Sequence, residues 1–176
     1  MCAEVNDITT IHNGRVFKIV SEDITLANGV STNMEIIRHP GASAIVPFLN
    51  HDTIILIRQY RHAIGDYIWE IPAGTFDPSE TALVCAKREL IEETGYMANE
   101  WQKLNEITPV PAYSDERIHI FFATDLEPAE QNLDKDEILE VHEIKFTKAL
   151  DMIYRGEIQD SKTICGLFMA AQLQDK

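Results

Sequence analysis

Four carboxylates and one arginine recur at fixed intervals in one short stretch of this sequence: Gly74, Glu80, then Arg88-Glu89-Leu90-Ile91-Glu92-Glu93-Thr94-Gly95-Tyr96. On an α-helix, side chains three and four apart share a face, so Glu89, Glu92 and Glu93 crowd together. Like charges at that spacing repel by about 0.3 kcal/mol per solvated pair, and by more once water is excluded. Arg88, one turn ahead of Glu92, can offset part of this as a bidentate partner. Hard divalent cations, which take carboxylate oxygens, can offset the remainder. For three glutamates alone a solvated acidic face is the plain alternative. The full pattern, Gly-x5-Glu-x7-Arg-Glu-Leu-x-Glu-Glu-x-Gly, is far more specific than that. Leu83, Ala86, Leu90 and Ile91 are expected on the opposite side, anchoring the helix on a core.

These residues resemble the Nudix box of the Nudix hydrolases, with Tyr96 standing where that pattern is usually aliphatic. The resemblance implies hydrolysis of nucleoside diphosphates linked to another moiety, with Mg2+ or Mn2+ as cofactor. By the same resemblance Glu89, Glu92, Glu93 and the carbonyl of Ala73 are the metal ligands, with Glu92 holding a further ion or orienting the water. Gly74 and Arg88 support the box. Arg58-Gln59-Tyr60-Arg61 and Trp69-Glu70-Ile71-Pro72-Ala73-Gly74 are similar to the corresponding stretch of ADP-ribose and ADP-sugar pyrophosphatases. So is Pro111, sixteen residues after Gly95, in a loop ending Ser114-Asp115-Glu116-Arg117. ADP-ribose is therefore the leading substrate, with other sugar nucleotides such as ADP-glucose or GDP-mannose as the alternative, and a non-catalytic nucleotide-binding module a further one. Substrate contacts implied by the resemblance are Arg61, Glu70 and Glu116. A general base comes from a loop before the last strand in such enzymes. Glu137 is the choice here, with Glu92 and Glu140 left open.

The formal charge of -14 argues against nucleic acid, which wants a basic face. It also means that a diphosphate is repelled unless cations reverse the local sign. With 176 residues, 45% hydrophobic and 25% charged, the chain fits one well-buried core of soluble type. No apolar run reaches the length of a membrane span, and the first ten residues lack the order of a signal peptide, so a cytoplasmic location is expected. Cys2, Cys85 and Cys165 form no CxxC pair, and reduced thiols are expected, Cys85 as small packing.

Several elements must position the box. Residues 1–40 read as an N-terminal antiparallel appendage, with strands at Val16–Val20 and Met34–Ile37 about an Ala27-Asn28-Gly29 turn. An isolated hairpin is marginal, so it should pack on the main body or on a second subunit, and a homodimer is expected. Residues 41–176 read as the hydrolase domain. Strands are expected over 41–48 and 53–60, joined by a turn at 50–52, with near-continuous apolar runs that imply a sheet covered on both faces. A short strand at 69–74 leads to the box helix. That helix should start near Pro78 with Asp77 or Ser79 as cap and stop at Gly95. Strands at 101–104, 117–123 and 140–146 follow, then a helix over 149–155 capped by Thr147 and a last helix capped by Asp160 or Ser161. The sum is an α/β fold, a Nudix-type α/β/α sandwich with a mixed sheet.

Overall fold

A computed structural model describes residues 3–174. It separates into two compact units, one made of the chain up to Gly41 with Thr108–Arg117, the other of Ala42–Ile107 with Ile118 onward. The loop Thr108–Arg117 thus groups with the N-terminal segment, which a single boundary at residue 41 does not express.

In the first unit β1 (Glu4–Asn13), β2 (Lys18–Thr25) and β3 (Ser31–Arg38) form an antiparallel meander in that order. Gly29 takes φ 83° in the β2–β3 turn, a conformation that favours glycine. The loop pairs with β3: the Ile37 N–H donates to Tyr113 O at 2.8 Å, and Arg38 reaches Asp115 at 3.1 Å. The strand β1 lies outside both expected strands. Register shifts after Val5 and after Thr10 break the alternation by which a strand is recognised.

In the second unit β4 (Ala42–Pro47) is buried along its whole length. It sits in a mixed four-stranded sheet of order β7-β4-β9-β8, built with β7 (Ala73–Thr75), β8 (Tyr96–Ile107) and β9 (Ile118–Pro128), in which only the β4–β9 pairing is parallel. A second, antiparallel sheet has the order β10-β5-β6, from β5 (Thr53–Arg61), β6 (Asp66–Glu70) and β10 (Leu139–Lys145). The helices are α1 (Ala82–Thr94), α2 (Phe146–Tyr154) and α3 (Ser161–Gln174). Alternate residues of β4 explain its unbroken apolar run. Ala44 and Val46 join the larger core with Leu56, Ile71, Ile120 and Leu167, while Ile45 joins Phe121, Ala86 and Leu90 beneath α1. The turn at 50–52 is present, yet β4 and β5 belong to different sheets, linked by a lone Phe48–Ile54 bridge.

Helix starts differ from expectation. The Thr81 hydroxyl caps α1, accepting from the Val84 N–H at 3.4 Å. Ser79 cannot begin a helix because its φ is 68°, and Asp77 instead closes a turn in which its N–H donates to the Glu80 carboxylate at 3.0 Å. The end of α1 at Gly95, with φ 71°, is as read. Helix α2 follows β10 without a side-chain cap, so Thr147 has no such role. For α3 the Asp160 carboxylate receives the Thr163 N–H at 2.9 Å. Leu83 is 38% exposed and anchors nothing. The buried face of α1 is Cys85, Ala86, Glu89, Leu90, Glu93 and Thr94, so two of its glutamates lie beside its apolar stripe, not across from it. Among the described residues no helix is long and apolar enough to cross a membrane.

Candidate active site

Burying half of an acidic row has to be engineered locally, and the turn between β7 and α1 does so. Arg88 uses its two-pronged side, Nε at 3.0 Å and Nη2 at 2.9 Å, on Glu80. Its Nη1 then reaches Glu89 at 2.6 Å and Glu92 at 2.9 Å. The bidentate partner of Arg88 is thus Glu80, while Glu89 and Glu92 share one nitrogen. The requirement for Gly74 is steric: a Cβ there would stand 1.8 Å from Glu89 Oε1. Next to it the Ala73 N–H donates to Glu93 Oε2 at 2.8 Å. The Cys85 thiol donates to the Gly74 carbonyl at 3.3 Å. Burial pushes that thiol up to about 12, which leaves it without thiolate character and suits a packing role.

The charges do not balance. Glu93 is 1% exposed and Glu89 7%. Burial pushes Glu89 up to about 7, Arg88 pulling it back and the charges of Glu92 and Glu137 adding to the rise. Burial also holds Glu93 well above the usual carboxylate range, reinforced by Glu89 and Glu137 and opposed by the Ala73 N–H and Lys162. Among the described residues no three His, Cys, Asp or Glu side chains form a ready-made cation cage, since Glu89 is turned onto Arg88 and Glu93 onto a backbone amide. The donor set nonetheless fits a hard divalent ion. It consists of desolvated carboxylate oxygens whose ionisation is opposed by burial and by one another, an opposition that Arg88 and Lys162 offset only in part.

The structure brings Ala73, Gly74, Arg88, Glu89, Glu92 and Glu93 together. Glu137 lies within electrostatic reach, its carboxylate accepting the Asp134 N–H at 2.9 Å. Glu140 stands on β10 with an exposed carboxylate 3.2 Å from His142. Arg61 and Glu70 bond to each other, Arg61 Nε at 2.6 Å and Nη2 at 2.9 Å from the two carboxylate oxygens. The expectation of Glu70 as a substrate contact meets a side chain 1% exposed with both oxygens engaged, which places it behind Arg61. Glu116 belongs to the first unit, 3.8 Å from His39. The sequence reading misses Lys162, whose Nζ binds Glu70. The available signal is a lysine in the first turn of a helix, where the dipole disfavours a cation.

Comparison with known proteins follows the same line. The NUDIX domain family matches residues 38–165. A methanol dehydrogenase activator of Bacillus methanolicus is 38% identical over 94% of this chain and 90% of its own length. An ADP-ribose pyrophosphatase of Bacillus subtilis is 37% identical over 87% of this chain and 84% of its own. The crystal structure of an ADP compounds hydrolase superposes with a TM-score of 0.87 at 26% identity, covering 99% of this chain and 95% of that one.

Proposed function

The chain belongs to the Nudix family, and from that premise we propose that it hydrolyses the diphosphate of a nucleoside diphosphate sugar, with ADP-ribose, split to AMP and ribose 5-phosphate, as its leading substrate. The observation that carries this reading is the buried, under-neutralised pair Glu89 and Glu93 beside the Gly74 turn. Likeness to the ADP-ribose pyrophosphatase and the ADP compounds hydrolase supports the substrate class.

Glu89, Glu93 and the Ala73 carbonyl would hold Mg2+ or Mn2+, with Glu92 at the edge of the same set. Such a cation, when bound, neutralises phosphate oxygens and makes a nearby water more acidic. The chain's own residues do the remaining work. Arg88 holds Glu80, Glu89 and Glu92 in register, so the row of carboxylates stays on one face despite its repulsion. Arg61, whose Nε–Nη2 edge is held by Glu70, presents its remaining Nη donors to the diphosphate oxygens. Glu137 takes the proton of the attacking water as general base, a role for which its reach to Glu89 and Glu93 speaks. Glu92 and Glu140 are the competing bases. The N-terminal unit supplies dimerisation and further substrate contacts, Glu116 among them. The exposed apolar side chains of β1, Val5, Ile8 and Ile11, speak for a homodimer. The protein works in the cytoplasm, without nucleic acid or membrane as partner.

The test is incubation with ADP-ribose, ADP-glucose, GDP-mannose and NADH in Mg2+ or Mn2+, with nucleoside monophosphate quantified. ADP-ribose should be turned over fastest, and no turnover of any of the four overturns the reading. A second reading, a nucleotide-binding module that regulates another enzyme, is favoured by the likeness to the methanol dehydrogenase activator. It requires binding of these nucleotides without cleavage in the same assay.

A further inference from the structure

The first turn of α3 grips the segment that feeds the carboxylate cluster, and nothing in the chemistry above makes use of it. Lys162 is 9% exposed. Its Nζ bonds Glu70 Oε2 and lies 3.1 Å from Asp160 Oδ2. Asp160 Oδ2 also receives the Thr163 N–H at 2.9 Å and the Thr163 hydroxyl at 2.6 Å, and the Thr163 oxygen in turn accepts the Ile71 N–H at 2.9 Å. Gly166 permits the approach, since a Cβ there would press on Ile71 and Val46 at 3.0 Å. One helix terminus therefore holds the side chain of Glu70 and the backbone of Ile71, two residues before the Ala73 amide that meets Glu93.

A buried ammonium at the start of a helix is opposed twice, by the positive end of the dipole and by desolvation. Helix formation gives no reason for it, so its carboxylate partners must. Glu70 stands between two cations: Lys162 behind it and Arg61 in front, the Arg61 side chain being 40% exposed. We propose that Lys162 is a positioning residue: it pins the Glu70 carboxylate from behind, so that Glu70 holds the Arg61 guanidinium in one orientation toward the diphosphate. The proposal rests on the reading of Arg61 as the diphosphate-binding arginine. Without Lys162, Glu70 and Asp160 share one cation, the carboxylate turns, and the guanidinium loses its fixed direction. A displacement of about 1 Å in such a group lowers kcat/KM, by as much as about a hundredfold in the worst case, and for a group that binds substrate the loss falls mainly on KM.

The experiment compares wild type with Lys162→Met, Lys162→Gln and Lys162→Arg, circular dichroism selecting the folded ones. The direct readout is the Arg61 Nε–H signal in nitrogen-15 NMR, assigned by its loss in Arg61→Lys. It should broaden and exchange with water about tenfold faster in Lys162→Met or Lys162→Gln, and recover in Lys162→Arg. With ADP-ribose, KM should rise about tenfold while kcat stays within about threefold. The double variant Arg61→Ala with Lys162→Met should match Arg61→Ala alone, whereas a general structural defect would add to it. An unchanged Nε–H signal overturns the proposal whether or not the protein is an enzyme, and so does an unchanged KM in an active one. Altered Nε–H exchange in a protein that cleaves none of the sugar nucleotides upholds the positioning of Arg61 and rejects the functional reading alone.

Discussion

Arg88 and Arg61 each bond a buried glutamate in the same unit, but the charge around them differs. Arg88 serves Glu80, Glu89 and Glu92, with Asp77 at 3.8 Å and Glu93 buried nearby: one arginine among five carboxylates. Around Arg61, Glu70 and Asp160 meet two cations, Arg61 and Lys162. Desolvation acts on both groups, with opposite outcomes. Burial lifts Glu89 and Glu93, whereas at Glu70 burial is outweighed by the Arg61 hydrogen bond and the Lys162 charge, and its carboxyl lies below the ordinary value. A neutral buried cluster is complete as scaffold. A buried cluster with excess negative charge is neutralised by taking up protons or a further cation, and that difference sets the first cluster apart from a framework.

The sharpest way to break the comparison is Glu93→Gln. A neutral amide binds a hard cation poorly, and turnover should fall by about a hundredfold or more. The metal-free melting temperature should hold or rise, because a charge-disfavouring site loses only its charge. A variant with nearly full activity removes Glu93 from the ligand set.

The pH dependence comes next. A carboxyl raised in the folded state binds more protons there than in the unfolded chain, so its contribution to stability falls as pH climbs from the ordinary value to the raised one. For Glu89 that window runs from 4.5 to about 7, and Glu93 extends it upward. In chelator, wild type should lose melting temperature relative to Glu89→Gln across this window, and Mg2+ should restore most of it. A constant difference between the two proteins refutes the imbalance.

Arg88→Met should destabilise by about 3 kcal/mol in urea unfolding, since three carboxylates lose their common partner. Divalent cation should recover part of that loss. The smallest effect is expected from Thr163→Val in the balanced cluster. It orphans the Ile71 amide and should cost about 1–2 kcal/mol, with no recovery by Mg2+. Recovery there would mean that the two clusters are not distinct.

Much of this was legible in the chain. The acidic row, its arginine and the stop at Gly95 follow from helix spacing and glycine chemistry, and β4 announces itself by an apolar run that two cores require. What escaped was set by contacts distant in sequence. Nothing local distinguishes a Glu70 that touches ligand from one enclosed by Arg61 and Lys162, the latter 92 residues away. The start of α1 was misplaced because Asp77, Ser79 and Thr81 are all chemically fit to cap. A left-handed Ser79 decides among them, and composition does not reveal a dihedral angle. The bulged β1 escaped for a related reason, since its two extra residues disrupt the period that reading depends on.

The segment bearing Glu137 is moored at both ends. On one side the Asn132 N–H donates to Glu92 O at 3.1 Å and the Gln131 amide to Glu93 O at 2.6 Å; on the other, the Tyr60 N–H donates to Ile138 O at 2.9 Å. Only the short arc 133–137 spans these ties, and at roughly 3.4 Å per extended residue its length limits how far Glu137 can travel. The first mooring is the backbone of Glu92 and Glu93 themselves, so any shift of the end of α1 pulls on the arc, and lengthening the arc would loosen the placement of Glu137 without removing a single acid.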